Sequence, residues 1–118
     1  MRFTSTRGGT PPTPIDVALI AGLAPDGGLY VPEAIPTLPR SVTHGPESSL
    51  ARTAAVALAP YFAASSLRDA LPALCMRAFD IPAPLRPMHG EASAQAPDYQ
   101  LELIHGPTAA FKDFAARF

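Results

Sequence analysis

Residues Leu23–Glu33 read LAPDGGLYVPE. Within them Pro25-Asp26-Gly27-Gly28 carries the chemistry of a tight turn, and Leu29-Tyr30-Val31 is a short β-favouring run closed by Pro32. Proline has no N–H to give a ladder, so this strand belongs at a sheet edge and ends near Pro32. Its natural partner lies upstream, where Arg2–Thr6, RFTST, combines Phe and Thr in a second short β-favouring run. Between the two, Gly8, Gly9, Pro11 and Pro12 make a loop. Asp16–Ala21 then reads as a short helix, with Thr13 as N-cap, Pro14 at the first helical position and Gly22 as its stop.

Downstream, PEAIPTLPRSVTHGP, residues 32–46, is too rich in proline for regular helix and reads as an irregular surface connector. An alanine-rich helix is expected from Ser48 or Ser49, with Leu50, Val56, Leu58 and Tyr61 as its apolar face and Pro60 bending or ending it. A second helix is expected from Ser66 as N-cap with Asp69 three residues on. Leu67, Leu71, Leu74, Cys75 and Ala78 would form its face, and Pro72 would break or kink it, leaving a turn of helix before the main one. Residues 81–98 are proline-rich at first and then small and polar, which places a linker, or a short strand plus a loop, between a unit at 1–80 and another at 99–118. In the last unit, YQLELI at Tyr99–Ile104 alternates as a strand does. His105-Gly106-Pro107-Thr108 then turns the chain into a helix over AAFKDFAARF, with Thr108 as its cap and an Asp113–Arg117 ion pair at i, i+4. The fold class is therefore α/β, and α+β within this stretch: a small helical N-terminal domain with a short β-hairpin-like pair, followed by one strand and one helix.

Composition bounds the function. A chain of 118 residues with 47% hydrophobic and 16% charged residues is globular in character, and its size lets it bury roughly two-thirds of its unfolded surface. Its formal net charge is −1 and its arginines are scattered singly, so neither nucleic acid nor an anionic membrane is an expected partner. No apolar run has the length of a membrane span and MRFTSTRGGTPP has no apolar h-region, which makes a cytoplasmic location the expectation. Cys75 is the single cysteine and reads as a small core residue. His44, His89 and His105 lack metal-ligand spacing.

The sequence holds eight arginines and one lysine, Lys112. A background that uses arginine for charge, yet keeps one lysine, points to chemistry that only an amine performs, since a guanidinium stays protonated and forms no stable imine. The start of a helix disfavours an ammonium ion, and Phe111 beside it would add an apolar neighbour; both favour the free amine needed to attack a carbonyl. A solvated surface charge is the alternative reading of the same residue.

HGPTAAFKDFAARF at His105–Phe118, following LELI, resembles the pyridoxal-phosphate lysine segment of threonine synthases. LAPDGGLYVPE resembles a signature of that family's N-terminal domain, and AFDIPAPL at Ala78–Leu85 is similar as well. The resemblance implies a fold-type II catalytic domain beginning at residue 99. It implies that Lys112 forms a Schiff base with the cofactor aldehyde, is displaced by the amino group of O-phospho-L-homoserine, and then moves protons at Cα and Cβ. Phosphate leaves from Cγ and water adds at Cβ to give L-threonine. Phe111 and Asp113 would flank Lys112 and shape the cofactor pocket or the helix start, with packing or capping as the alternative; His105 and Thr108 would approach the substrate or cofactor, or simply turn and cap the chain.

The same resemblance requires a glycine-rich loop for the cofactor phosphate, a polar partner for the pyridine nitrogen and groups for the substrate phosphate. None is visible in the sequence, and Gly8-Gly9 and Gly27-Gly28 read as turns. The expectation is a truncated piece, inactive without the rest of the catalytic domain, with exposed apolar surface on YQLELI. A stand-alone interaction module is the alternative from another class. Another fold-type II enzyme, such as a serine or threonine dehydratase, is the alternative within enzymes, and PDGGLYVP argues against it.

Overall fold

The computed structural model describes residues 1–39, 49–88 and 98–118. The elements run β1 (Arg2–Ser5), β2 (Thr13–Pro14), α1 (Ile15–Ala21), β3 (Tyr30–Pro32), α2 (Leu50–Phe62), α3 (Leu71–Ala78), β4 (Leu85–Pro87), β5 (Tyr99–Leu101) and α4 (Lys112–Ala116). His44, His89, the whole 40–46 end of the connector, Ser48 and residues 89–97 of the 81–98 stretch lie outside the described residues.

The expected pairing of RFTST with the strand ending at Pro32 is present, antiparallel, with Phe3 opposite Pro32, Thr4 opposite Val31 and Ser5 opposite Tyr30. The sheet has a third member: β2 pairs with the other side of β1, so the order is β2-β1-β3 and β3 is an edge. The hairpin-like pair is therefore a three-stranded sheet. Thr13 does not cap α1. Thr13 is taken up by the sheet opposite Phe3, and Pro14, at φ −64° and ψ 155°, takes the N-cap position. Gly22, at φ 69°, stops α1 and gives its N–H to the Ala18 carbonyl.

Period-two burial along β1 sends Phe3 and Ser5 inward. Phe3 joins Ile15, Ala18, Phe62, Leu71 and Cys75 in one core cluster. Ser49 caps α2, its hydroxyl accepting from the Arg52 amide at 3.2 Å. This helix continues past Pro60 and ends two residues later, where only the bond from residue 60 to the Val56 carbonyl is forfeited. Its inward face is alanine-rich: Ala51 and Phe62 are buried, with Ala54, Ala55, Leu58 and Tyr61 packed beside them, whereas Leu50 is exposed. Small side chains let α2 lie close against α3.

Ser66 is not a cap, but the break expected at Pro72 is present: turns come before it and the main helix starts beside it. Residues 65–70 form successive turns, and Pro72 sits in the first turn of α3, where its missing N–H costs nothing. Leu67 consequently lies outside the helix and is exposed, while Leu71, Cys75 and Ala78 keep the 4 and 3 spacing of a buried face. Ser65 serves where Ser66 was expected: its hydroxyl accepts from the Leu67 amide at 3.0 Å and donates to Asp16, whose other oxygen takes the Ser66 amide at 2.9 Å. Those bonds tie α1 to the turns before α3 and hold the Asp16 carboxyl below its ordinary range, the Ser65 hydroxyl contributing most.

Of the two readings of residues 81–98, the one with a short strand holds. β4 pairs antiparallel with β5, Leu85 opposite Leu101, Arg86 opposite Gln100 and Pro87 opposite Tyr99. The expected YQLELI strand is thus three residues long, and Leu103 and Ile104 continue as irregular chain. Tyr99, Leu101 and Ile104 are more than half exposed, in line with the apolar surface expected there.

Candidate functional site

The LAPDGGLYVPE turn is organised by one carboxylate. Asp26 accepts from the Ser5 hydroxyl at 2.6 Å and from the amides of Gly28 and Gly9, both at 2.9 Å. Arg7 closes the arrangement by donating to the Asp26 carbonyl at 3.0 Å. The carboxyl is held below its ordinary range, first by the Ser5 hydroxyl and then by the Gly28 amide. Both glycine pairs are turns, as expected, and this structure adds the reason that they are not phosphate cradles: their inward amides are already spent on Asp26. Asp followed by two glycines is the local signal for such a side-chain-closed turn.

The second arrangement surrounds Lys112. The helix expected from Ala109 begins only at Lys112, because Ala109 adopts a left-handed backbone, φ 53°, that no α-helix accommodates. Thr108 does not cap α4; the direction of bonding is reversed. The Thr108 amide and hydroxyl both donate to Asp113, at 2.9 and 2.8 Å, and Ala109 N–H donates to the Gly106 carbonyl at 3.0 Å. Asp113 is buried, and the two Thr108 donors hold its carboxyl below the ordinary range. The expected Asp113–Arg117 pair is absent since the carboxylate faces back toward Thr108. Arg117 instead reaches Asp80 at 2.8 Å, and Phe118 stacks on Phe79 with ring centroids 5.7 Å apart.

Of the residues picked from sequence, Lys112 is the first residue of α4 and is exposed. Phe111 precedes it and is 67% exposed, so it provides no apolar cover for the amine within the described residues. Thr108 and Asp113 are brought together with each other. His105 is drawn away toward β5, its Nε2 2.8 Å from Glu102, which also faces Arg86 at 3.7 Å. Glu102 escaped the sequence reading because in an alternating strand it looks like an ordinary solvated residue. A groove of about 560 Å³ lined by Leu74, Arg77, Asp80, Arg117 and Phe118 lies at the other end of α4. Among the described residues, no helix is long and apolar enough to cross a membrane.

The family model for the threonine synthase N terminus matches residues 2–79. The chain belongs to the threonine synthase family. Threonine synthase from Pseudomonas aeruginosa is 39% identical over 98% of this chain and 24% of its own length. The Schizosaccharomyces pombe threonine synthase is 33% identical over 98% of the chain and 23% of its own length. A crystal structure of pyridoxal-phosphate-bound threonine synthase from Brucella melitensis superposes with a TM-score of 0.79 at 31% identity, covering 99% of this chain and 26% of that one. The chain therefore spans about a quarter of the length of the threonine synthases it matches.

Proposed function

We propose that this chain acts as the N-terminal part of a threonine synthase, a pyridoxal-phosphate lyase converting O-phospho-L-homoserine and water to L-threonine and phosphate. The observation that carries the reading is Lys112. It is the only lysine in the sequence, exposed at the first position of α4 directly after a side-chain-locked turn, in a chain that superposes along nearly its whole length on a pyridoxal-phosphate-bound relative. An exposed primary amine fits the aldehyde of that cofactor.

Lys112 would hold the cofactor through its amine and, once released by the substrate's amino group, move protons at the substrate's Cα and Cβ. The cofactor, when bound, acts as an electron sink that stabilises negative charge on the substrate carbon. Nothing in the two glycine turns is left to bind its phosphate, because Asp26 takes their inward amides. The phosphate loop, the partner of the ring nitrogen and the substrate-phosphate site are therefore assigned to the rest of a fold-type II catalytic domain, of which residues 99–118 are the start, with 1–80 as the N-terminal domain and 81–98 between them. His105 and Thr108 remain candidates to approach the substrate, each already oriented by a carboxylate; Phe111 has the exposure to line a pocket completed by that domain. A cytoplasmic location belongs to the same reading.

The test is borohydride reduction with pyridoxal phosphate followed by peptide mapping. In the full-length polypeptide, saturable labelling of Lys112 and threonine formation from O-phosphohomoserine are expected. The 118-residue chain alone should form no threonine, and turnover by it would overturn the assignment of the missing groups. Labelling of Lys112 in the full-length protein no better than in a free peptide would favour an interaction module instead.

A further inference from the structure

The bonding at the start of α4 is more elaborate than a five-residue helix requires. Both Asp113 oxygens are used on one residue, Thr108, through its amide and its hydroxyl. The approach is close enough to exclude a side chain at position 106: a Cβ on Gly106 would stand 2.6 Å from Asp113 Cβ and 2.7 Å from its Cγ. The same turn contains Ala109 at φ 53°, a conformation that costs an alanine strain and persists only when its surroundings over-determine it. Buried Asp113 and exposed Lys112 are neighbours in sequence, and successive residues on a helix project about 100° apart. The carboxylate is thus fully engaged on the inner side of the chain while the amine stands on the outer side.

We infer that Asp113 is a positioning residue for Lys112: its carboxylate locks residues 106–110 against the start of α4 and so sets where the lysine amine projects. The inference rests on the reading that Lys112 holds the cofactor. It differs from the assignment of Asp113 as a cofactor contact, since a carboxylate with both oxygens on Thr108 is turned toward the turn. Glycine at 106 and the strained backbone at 109 are parts of the same device. The strain at Ala109 is sustained by the clamp, and the clamp needs the close approach that only Gly106 permits.

Three variants separate the possibilities. Asp113→Ala removes the clamp. Asp113→Asn keeps an acceptor for the Thr108 amide and can donate to the Thr108 hydroxyl oxygen, so it retains the lock without the charge. Gly106→Ala forces the turn off Asp113 and carries the test if Asp113→Ala does not fold. In the 118-residue chain, hydrogen exchange at the Thr108 amide should accelerate about tenfold or more in Asp113→Ala and Gly106→Ala, and stay within about threefold of wild type in Asp113→Asn. Unchanged exchange in Asp113→Ala overturns the clamp.

In the full-length protein loaded with pyridoxal phosphate, Asp113→Ala and Gly106→Ala should lower kcat about tenfold or more with KM and cofactor content little changed, as expected for a misplaced reacting group. Asp113→Asn should restore most of kcat. Equal loss in Asp113→Asn and Asp113→Ala overturns the inference, because the charge itself would then be acting on cofactor or substrate. Labelled Lys112 together with unchanged kcat in Asp113→Ala overturns the inference alone, whereas an unlabelled Lys112 in the wild-type protein overturns the functional reading and the inference with it.

Discussion

Replacing Gly28 by alanine should be among the costliest single-methyl additions in this chain. Gly28 is buried, and a Cβ there would press on the Ser5 hydroxyl while standing 3.1 Å from the Arg7 amide nitrogen and 3.1 Å from Asp26 Oδ1. None of the three can give way cheaply. The Arg7 nitrogen is backbone, Ser5 is fixed in β1, and the Asp26 carboxylate is pinned by the Ser5 hydroxyl and two amides. Overpacking of this kind costs about 1–3 kcal/mol. For a chain of this length, at roughly 4 °C per kcal/mol, the Tm should fall by about 4–12 °C. Urea unfolding should show a lower midpoint at unchanged slope. Gly8→Ala is the control: nothing lies within 4 Å of its Cβ, but φ is +71°, so only the left-handed penalty of about 1 kcal/mol applies. In a Ser5→Ala background the hydroxyl contact is gone, and the cost of Gly28→Ala should shrink by about 0.5 kcal/mol or more. A Gly28→Ala protein as stable as wild type, or a cost unchanged in the Ser5→Ala background, refutes the steric argument.

Three further outcomes follow from the same geometry. Asp16, Asp26 and Asp113 all have carboxyls held below the ordinary value of 3.8, so their contribution is complete above that value and is lost as pH falls through the lower folded values; the urea midpoint should drop below about pH 4, and a flat profile would contradict the assignment. Leu71, 2% exposed in the core, should lose about 2–5 kcal/mol on truncation to alanine, read as a shift in the urea midpoint. Cys75 has no exposed surface and burial pushes its thiol up, so a thiol reagent should modify it only at the rate at which the chain opens, rising steeply with urea; fast reaction in native buffer would show that the core is not closed.

Local chemistry made much of the fold legible. The turn at Pro25–Gly28, the pairing of its strand with RFTST, the Ser49 cap and the Gly22 stop all depend on single residues with strong backbone preferences. The readings that failed share one physical cause, competition between a local preference and a tertiary partner. Thr13 has cap chemistry, but β1 captures it opposite Phe3. Ser66 and Thr108 also looked like caps; Ser65, next to Ser66, has the better partner in Asp16, and Thr108 spends its amide and hydroxyl as donors to Asp113. Helix propensity over AAFKDFAARF ran through Ala109, which stands left-handed in the turn closed by Gly106 and Thr108. At the candidate site, a lone lysine among arginines was visible as a signal, but the bonding that surrounds it was not, since a carboxylate next to a lysine looks in sequence like any ordinary charge pair.

The contacts at the end of α4 have a thermodynamic meaning beyond geometry. Phe118 stacks on Phe79 and meets Phe62 edge-on at 6.3 Å, and Arg117 pairs with Asp80, so the segment bearing Lys112 shares its boundary with α2 and α3. Melting α2 and α3 strips that segment of its aromatic support, and ordering the segment adds to theirs. The two therefore form one linked equilibrium: a ligand captured by the lysine segment in its folded form raises the melting temperature of helices it never touches, by an amount set by its concentration relative to its Kd.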